Sequence, residues 1–169
     1  MQGKLQKSYR VSKELAQNSY FEGTITLSQL SRLSTLVIAD NAIINVSFEF
    51  TKNLYQHPSV KGHIETRLQL ECQRCLEPMS QLMDFDFELL IDASDEDVKA
   101  FQTDTVYSDG GYLSILDVVE DELILALPLI SMHEASDCHQ HWQADDIPKP
   151  EEEKNNPFAV LAALKRESK

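Results

Sequence analysis

Glycine is scarce, with five residues in 169, and no group of them can wrap a phosphate, so a nucleotide-cradling loop is excluded. Cysteine is limited to three residues, an odd number that makes no disulfide framework and fits a reducing compartment. No apolar run approaches the roughly 20 residues needed to span a bilayer. The opening MQGKLQKSYR lacks the apolar stretch of a secretory signal, so a cytoplasmic location is expected. Cations are also few: 15 Lys and Arg stand against 28 Asp and Glu, for a formal net charge of −13. Such a surface repels phosphate backbones and disfavours broad nucleic-acid binding. It suits a basic protein partner, although the same charge also serves solubility alone. Pairs of nucleophile and base, and acids at metal-binding helical spacing, are missing too. A non-enzymatic protein is therefore expected.

Residues 1–142 are long enough for one domain with a real core. Alternation at a period of two marks its strands. Ile44, Val46, Phe48 and Phe50 share one face. Val60, Gly62, Ile64, Thr66, Leu68, Leu70 and Cys72 share another, opposite Lys61, His63, Glu65, Arg67, Gln69 and Glu71. Met83, Phe85, Phe87, Leu89 and Ile91 repeat the pattern against Asp84, Asp86 and Glu88. Tyr20 to Leu27 reads as a further strand, and Ser28 to Leu36 as a short helix through Leu30, Leu33 and Leu36. Residues 92 to 111 read as an acidic loop with a short strand around Val106. The main helix starts at Ser114, a cap three residues before Asp117, and stops at Pro128, with Leu116, Val119, Leu123 and Leu127 as its core stripe. Residues 143–155 form an acidic Pro/Glu linker. Residues 156–169 form a C-terminal helix capped by Asn156 and begun by Pro157, with Phe158, Leu161, Ala162 and Leu164 on its apolar side. The expected class is α+β: an antiparallel β-meander or partly closed sheet covered by one main helix, with short N-terminal and C-terminal helices.

The sharpest chemical feature is Cys72-Gln73-Arg74-Cys75, placed where one strand ends and before the next begins after Pro78. A tight turn carrying two thiols is a knuckle, and zinc draws two thiolates from such turns because both sulfurs can converge on one tetrahedral ion. Cys138, with His133, His139 and His141 near it in sequence, can complete the set as Cys72, Cys75, His133 and Cys138. The alternative is plain burial: Cys72 continues the inward parity of its strand and a free cysteine packs as a small apolar residue. A thioredoxin-like role does not fit, since that chemistry sets the first thiol at a helix N-terminus. Arg74, between the thiols, is expected to fork onto Glu120 or Glu122 of the acidic helix. The neighbours Glu120, Asp121 and Glu122 point in different directions and are expected as surface charge.

Three segments, Leu70-Glu-Cys-Gln-Arg-Cys-Leu-Glu-Pro78, Val119-Glu-Asp-Glu-Leu-Ile-Leu-Ala-Leu-Pro128 and Asn156-Pro-Phe-Ala-Val-Leu-Ala-Ala-Leu-Lys165, jointly resemble the YceD family and follow its order. The four-residue gap between His133 and Cys138 is similar to enterobacterial members, which favours His133 among the three histidines. The resemblance implies a role in synthesis, processing or stability of 23S ribosomal RNA, with a genetic association to a small large-subunit ribosomal protein. It implies no activity. Combined with the charge, it points to a ribosome-assembly factor that holds a basic large-subunit ribosomal protein or pre-ribosomal particle, through Arg74, Glu120, Asp121, Glu122 and the helix bearing Phe158, Leu161, Leu164 and Lys165. Direct ribosomal RNA binding through Lys61, His63, Arg67 and Arg74 is the alternative, and hydrolytic RNA processing the last.

Overall fold

Long stretches of period-two alternation build the centre of the fold. The computed structural model describes residues 5–38, 41–53, 55–134 and 138. Through these the chain runs β1 (Ser8–Arg10), α1 (Val11–Gln17), β2 (Tyr20–Thr26), two 3₁₀ turns (Leu27–Gln29 and Leu33–Thr35), β3 (Ile43–Lys52), β4 (Pro58–Glu71) and β5 (Pro78–Ile91). It continues with α2 (Asp95–Phe101), β6 (Thr105–Val106), β7 (Tyr112–Ser114) and α3 (Ile115–Ala126). The expected linker over 143–155 and helix over 156–169, with Phe158, Leu161, Leu164 and Lys165, lie outside the described residues, as do His139 and His141. No described helix is long and apolar enough to cross a membrane.

Strands β2 to β5 lie side by side in chain order, each antiparallel to the next, as the alternation predicts. β6 then joins β5 in parallel, at Leu90↔Thr105 and Ile91↔Val106, so the five-stranded sheet is mixed rather than a pure meander. The reason is α2, which carries the chain back far enough to re-enter in the same direction. A separate two-stranded sheet pairs β1 with β7.

The inward parity follows the sequence reading. Ile44, Val46, Phe48, Phe50, Val60, Ile64, Leu68, Met83 and Phe87 are buried in one cluster. Gly62 sits between Phe48 on β3 and Phe87 on β5. A Cβ there would lie 2.5 Å from two Phe87 ring carbons and 2.6 Å from the Ser47 carbonyl oxygen. Absence of a side chain lets the Phe87 ring close onto the strand.

Over 28–36 the expected helix is replaced by the two 3₁₀ turns. In that geometry side chains three apart eclipse, and Leu27, Leu30 and Leu33 point together into the core. The N-terminal helix is instead α1, and α2 stands in the stretch read as loop. Ser94 and Asp97 cap α2 reciprocally, but none of its residues is buried, so it carries no apolar periodicity. α3 starts as predicted, with the Ser114 hydroxyl accepting from the Asp117 amide at 3.4 Å. It is rotated from the expected stripe: Ile115, Val118, Val119, Glu120 and Leu123 are buried, while Leu116 and Leu127 are only partly so.

Glu120 is thus turned inward, which corrects its reading as surface charge. Its carboxylate accepts from the Arg32 amide at 2.6 Å, the Leu33 amide at 3.1 Å and the Arg32 Nε at 2.9 Å. Arg32 also reaches Asp121 at 2.6 Å. Burial pushes the Glu120 carboxyl up, but the Leu33 amide, the Arg32 side chain and the Arg32 amide outweigh it and hold it below its ordinary value.

Gly62→Ala is expected to destabilise the fold by about 1–2 kcal/mol, an overpacking cost partly offset by the stiffer unfolded chain. A higher melting temperature for the variant would contradict the close approach. Glu120→Gln should cost about 2 kcal/mol at neutral pH. The folded Glu120 carboxyl ionises more readily than the unfolded one, so its contribution is complete above the ordinary value of 4.5 and is lost as pH falls through the lower folded value. Thermal melts of both proteins should therefore converge as the pH drops below 4.5 and through the lower folded value.

Candidate metal centre

The β4–β5 pairing ends at Glu71↔Pro78, which leaves residues 72–77 to turn at the hairpin tip. Two bonds tighten the turn: the Cys72 amide donates to the Glu77 carbonyl at 3.0 Å, and the Leu76 amide to the Cys72 carbonyl at 2.8 Å. Leu76 takes φ 62°, a left-handed conformation that costs a non-glycine residue about 1 kcal/mol. Something must hold the turn in place against that cost.

The holding contacts come from the stretch after α3. The Gln73 amide donates to the Ser131 carbonyl at 2.8 Å and its side chain reaches the Leu129 carbonyl at 3.5 Å. The His133 amide donates to Cys72 Sγ at 3.5 Å. Residues 129–133 thus strap across the knuckle and deliver His133, and Cys138 joins from further along. Cys72 Sγ and Cys138 Sγ are 3.9 Å apart, and Cys75 Sγ and His133 Nδ1 are 3.3 Å apart. The ligand atoms of all four residues lie within 4.8 Å of one another. Ligands at tetrahedral zinc, with Zn–S near 2.3 Å and Zn–N near 2.0 Å, sit about 3.8 Å apart for S···S and about 3.5 Å for S···N. The S···S separation is far beyond the roughly 2.05 Å of a disulfide, and all three cysteines are free.

The surroundings also fit a metal. His133 Nε2 lies 3.2 Å from the Pro78 carbonyl oxygen, to which it can only donate. That bond puts the proton on Nε2 and leaves Nδ1, which faces the sulfurs, with its lone pair free. Burial pushes the Cys72 thiol up. The backbone amides of Cys75, His133 and Arg74, with the Cys75 thiol, overcome it and bring Cys72 down to about 5. The Glu77 amide draws Cys75 down, but burial and the Cys72 and Cys138 thiols leave it above its usual value. These four residues form a Cys₃His cluster that could hold a metal ion.

Arg74 belongs to this cluster and not to the acidic helix. Its Nε donates to Cys138 Sγ at 2.9 Å and an outer nitrogen to the His133 carbonyl at 3.2 Å. Of the expected partners, Glu120 is held by Arg32. Glu122, half-buried, has its carboxyl raised by burial and then by the charges of Asp104 and Asp121. Asp121 remains exposed apart from its pair with Arg32. Around the knuckle the sequence reading missed a set of exposed apolar side chains: Leu76, Leu129, Ile130 and Met132. Only their failure to fit any core periodicity marks them.

The polar face of the sheet carries a second arrangement. Register sets Glu49, Lys61 and Glu88 in one row, Glu22, Ser47, His63 and Asp86 in the next, and Asn45, Glu65 and Asp84 in a third. Lys61 pairs with Glu88 at 3.3 Å, and His63 is shared between Asp86 at 2.9 Å and Asp84 at 3.5 Å. Of the four cations considered for RNA, Lys61, His63 and Arg74 are therefore committed within the chain, and Arg67 alone has no bonded partner among the described residues.

A family model described as "Large ribosomal RNA subunit accumulation protein YceD" matches residues 60–165. That span takes in all but the first two residues of β4, with the knuckle, the strap and Cys138. A protein of Haemophilus influenzae named Large ribosomal RNA subunit accumulation protein YceD is 32% identical over 152 residues, covering 86% of this chain and 87% of the relative. No solved structure matches the chain. With the match running over the hairpin, the knuckle and the segment that completes its ligand set, the chain belongs to the YceD family.

Proposed function

We propose that this chain supports accumulation of the large ribosomal RNA subunit as a cytoplasmic, non-catalytic assembly factor that holds a basic large-subunit ribosomal protein or a pre-ribosomal particle. The observation that carries the reading is the charge of the sheet's polar face, where Glu22, Glu49, Glu65, Asp84, Asp86 and Glu88 outnumber the cations set among them. Lys61 on this face is already paired internally with Glu88. A face of that sign attracts lysine- and arginine-rich protein and repels free phosphodiester. The relative's name supplies the ribosomal context, and the chain's net charge of −13 acts in the same direction.

The Cys72, Cys75, His133 and Cys138 set is read as a structural zinc site. Three thiolates and a neutral imidazole around a divalent ion leave one negative charge, which the Arg74 guanidinium on Cys138 offsets. A bound ion would tie the strap to the hairpin tip and would supply no open position for a substrate, since four protein ligands fill a tetrahedron.

Two measurements test these readings. Immobilised full-length protein should capture basic large-subunit ribosomal proteins, with capture falling steeply as salt rises from about 50 to about 300 mM, as screening shortens the range of the charges. Tight binding of protein-free ribosomal RNA fragments, with no capture of protein, would overturn the assembly reading. Freshly purified protein should contain about one zinc per chain, lost in Cys75→Ser and His133→Ala, and strong chelation should lower the melting temperature by at least about 5 °C. Absence of zinc together with indifference to added zinc would remove the metal site.

A further inference from the structure

Among the described residues, the long strand β5 is paired along one side over nearly its whole length and on the other only at its end. β4 pairs with it from Ser59↔Leu90 to Glu71↔Pro78, but β6 meets it only at Leu90 and Ile91. The Leu90 amide donates to the Asp104 carbonyl and the Asp92 amide to the Val106 carbonyl, both away from β4. Backbone direction alternates along a strand, so Ser80, Leu82, Asp84, Asp86 and Glu88 also turn their N–H and C=O groups outward. Among the described residues the one bond to these groups is local, from the Gln81 side chain to the Leu82 carbonyl at 3.0 Å. An open ladder of roughly 27 Å results, at about 3.4 Å per residue.

We propose that Ser80–Glu88 is a docking edge for an extended, cationic polypeptide segment, which adds to the sheet as a further strand beside β5. The proposal rests on the assembly reading above and gives its contact surface. Its charge selects the occupant. Asp84, Asp86 and Glu88 stand on the same residues whose backbone groups are open, and their side chains are 57%, 89% and 41% exposed. A second copy of this chain pairing through the same edge would set carboxylate against carboxylate, which destabilises a cross-strand pair. Nucleic acid offers no ladder and brings more negative charge. A segment with Lys or Arg at alternate positions satisfies both features at once: its cations fall opposite Asp84, Asp86 and Glu88 on the polar face, and its intervening side chains fall on the other face, beside the partly buried Phe85. The preferred ligand therefore alternates basic and apolar residues over about seven positions.

The test uses the full-length protein and a heptapeptide alternating lysine and valine, with binding followed by fluorescence anisotropy at low salt. Two variants report on the edge. Asp84→Pro deletes one outward N–H at a position where an edge tolerates proline, and Asp86→Lys reverses a charge that touches no core residue. Each should weaken binding about tenfold or more. The same peptide N-methylated at alternate backbone nitrogens keeps its charge but cannot form the ladder, and it should bind at least about tenfold more weakly to the unaltered protein. That comparison does not depend on the folding of any variant. Equal binding of the methylated peptide, or undiminished binding by a folded Asp84→Pro protein, would overturn the docking edge. Capture of basic ribosomal proteins distinguishes the two levels. If both variants capture them as well as the unaltered protein does, the edge is wrong and the assembly reading survives. If the unaltered protein captures none, the assembly reading falls.

Discussion

Thirteen register pairs between β4 and β5, from Ser59↔Leu90 to Glu71↔Pro78, are the frame on which every other feature is hung. Its inward positions supply Val60, Ile64, Leu68, Met83 and Phe87 to the core. Its outward positions carry the acids, its tip carries two thiols, and its free side carries the open ladder. A slip of one residue would exchange the two faces along the whole length. It would drive Asp84, Asp86 and Glu88 inward and carry Cys72 out of the orientation that meets Cys138. Gly62 helps to fix the register, because at one point of β4 alone is there room for the Phe87 ring.

Two ties link distant parts of the chain to that frame, and α3 connects them. Glu120, midway along the helix, binds the amides of Arg32 and Leu33 and fixes α3 against the 3₁₀ turns. The segment leaving the helix then has only a few residues in which to reach the knuckle, where Ser131 accepts from Gln73 and His133 meets Cys75. The orientation of the imidazole is set by the Pro78 carbonyl, the first residue of β5. Position of the four candidate ligands is therefore a consequence of helix placement and hairpin register together, and the unfavourable φ at Leu76 is retained because both hold it.

The parts of this design that could be read from the sequence are those that repeat. β3, β4 and β5 alternate over long stretches, and burial of one face leaves few other interpretations. α3 declares itself by the Ser114 cap and a helical stripe. α1 and α2 are seven residues each, and α2 buries nothing, so neither writes a periodicity. Glu120 was within reach: it lies four residues after Leu116 and three before Leu123, on the buried side, but its charge suggested solvent, and its partner Arg32 is 88 residues away in sequence. The Cys72–Cys75 spacing announced a knuckle. Its completion by His133 and Cys138 rested on ligand chemistry and family resemblance, since no local pattern connects residues some 60 positions apart. Arg74 misled because a guanidinium near carboxylates suggests an ion pair, whereas the acceptor its Nε meets is the Cys138 sulfur.

Edge protection alone does not explain the sign and placement of the charges on β5. An exposed strand is kept from pairing with its own kind by charges of either sign, and lysine serves as well as aspartate. Solubility asks only for net charge, which the rest of the chain already provides. Yet Glu65 and Asp84 stand directly opposite each other, a like-charge pair that opposes sheet formation. Placing carboxylates on β5 at the residues whose backbone is open among the described residues, and accepting repulsion from β4 to do so, concentrates negative potential along a line where an incoming strand would lie. The same acids that disfavour pairing of two copies through this edge would favour a cationic strand, so protection and the proposed recognition share one electrostatic pattern.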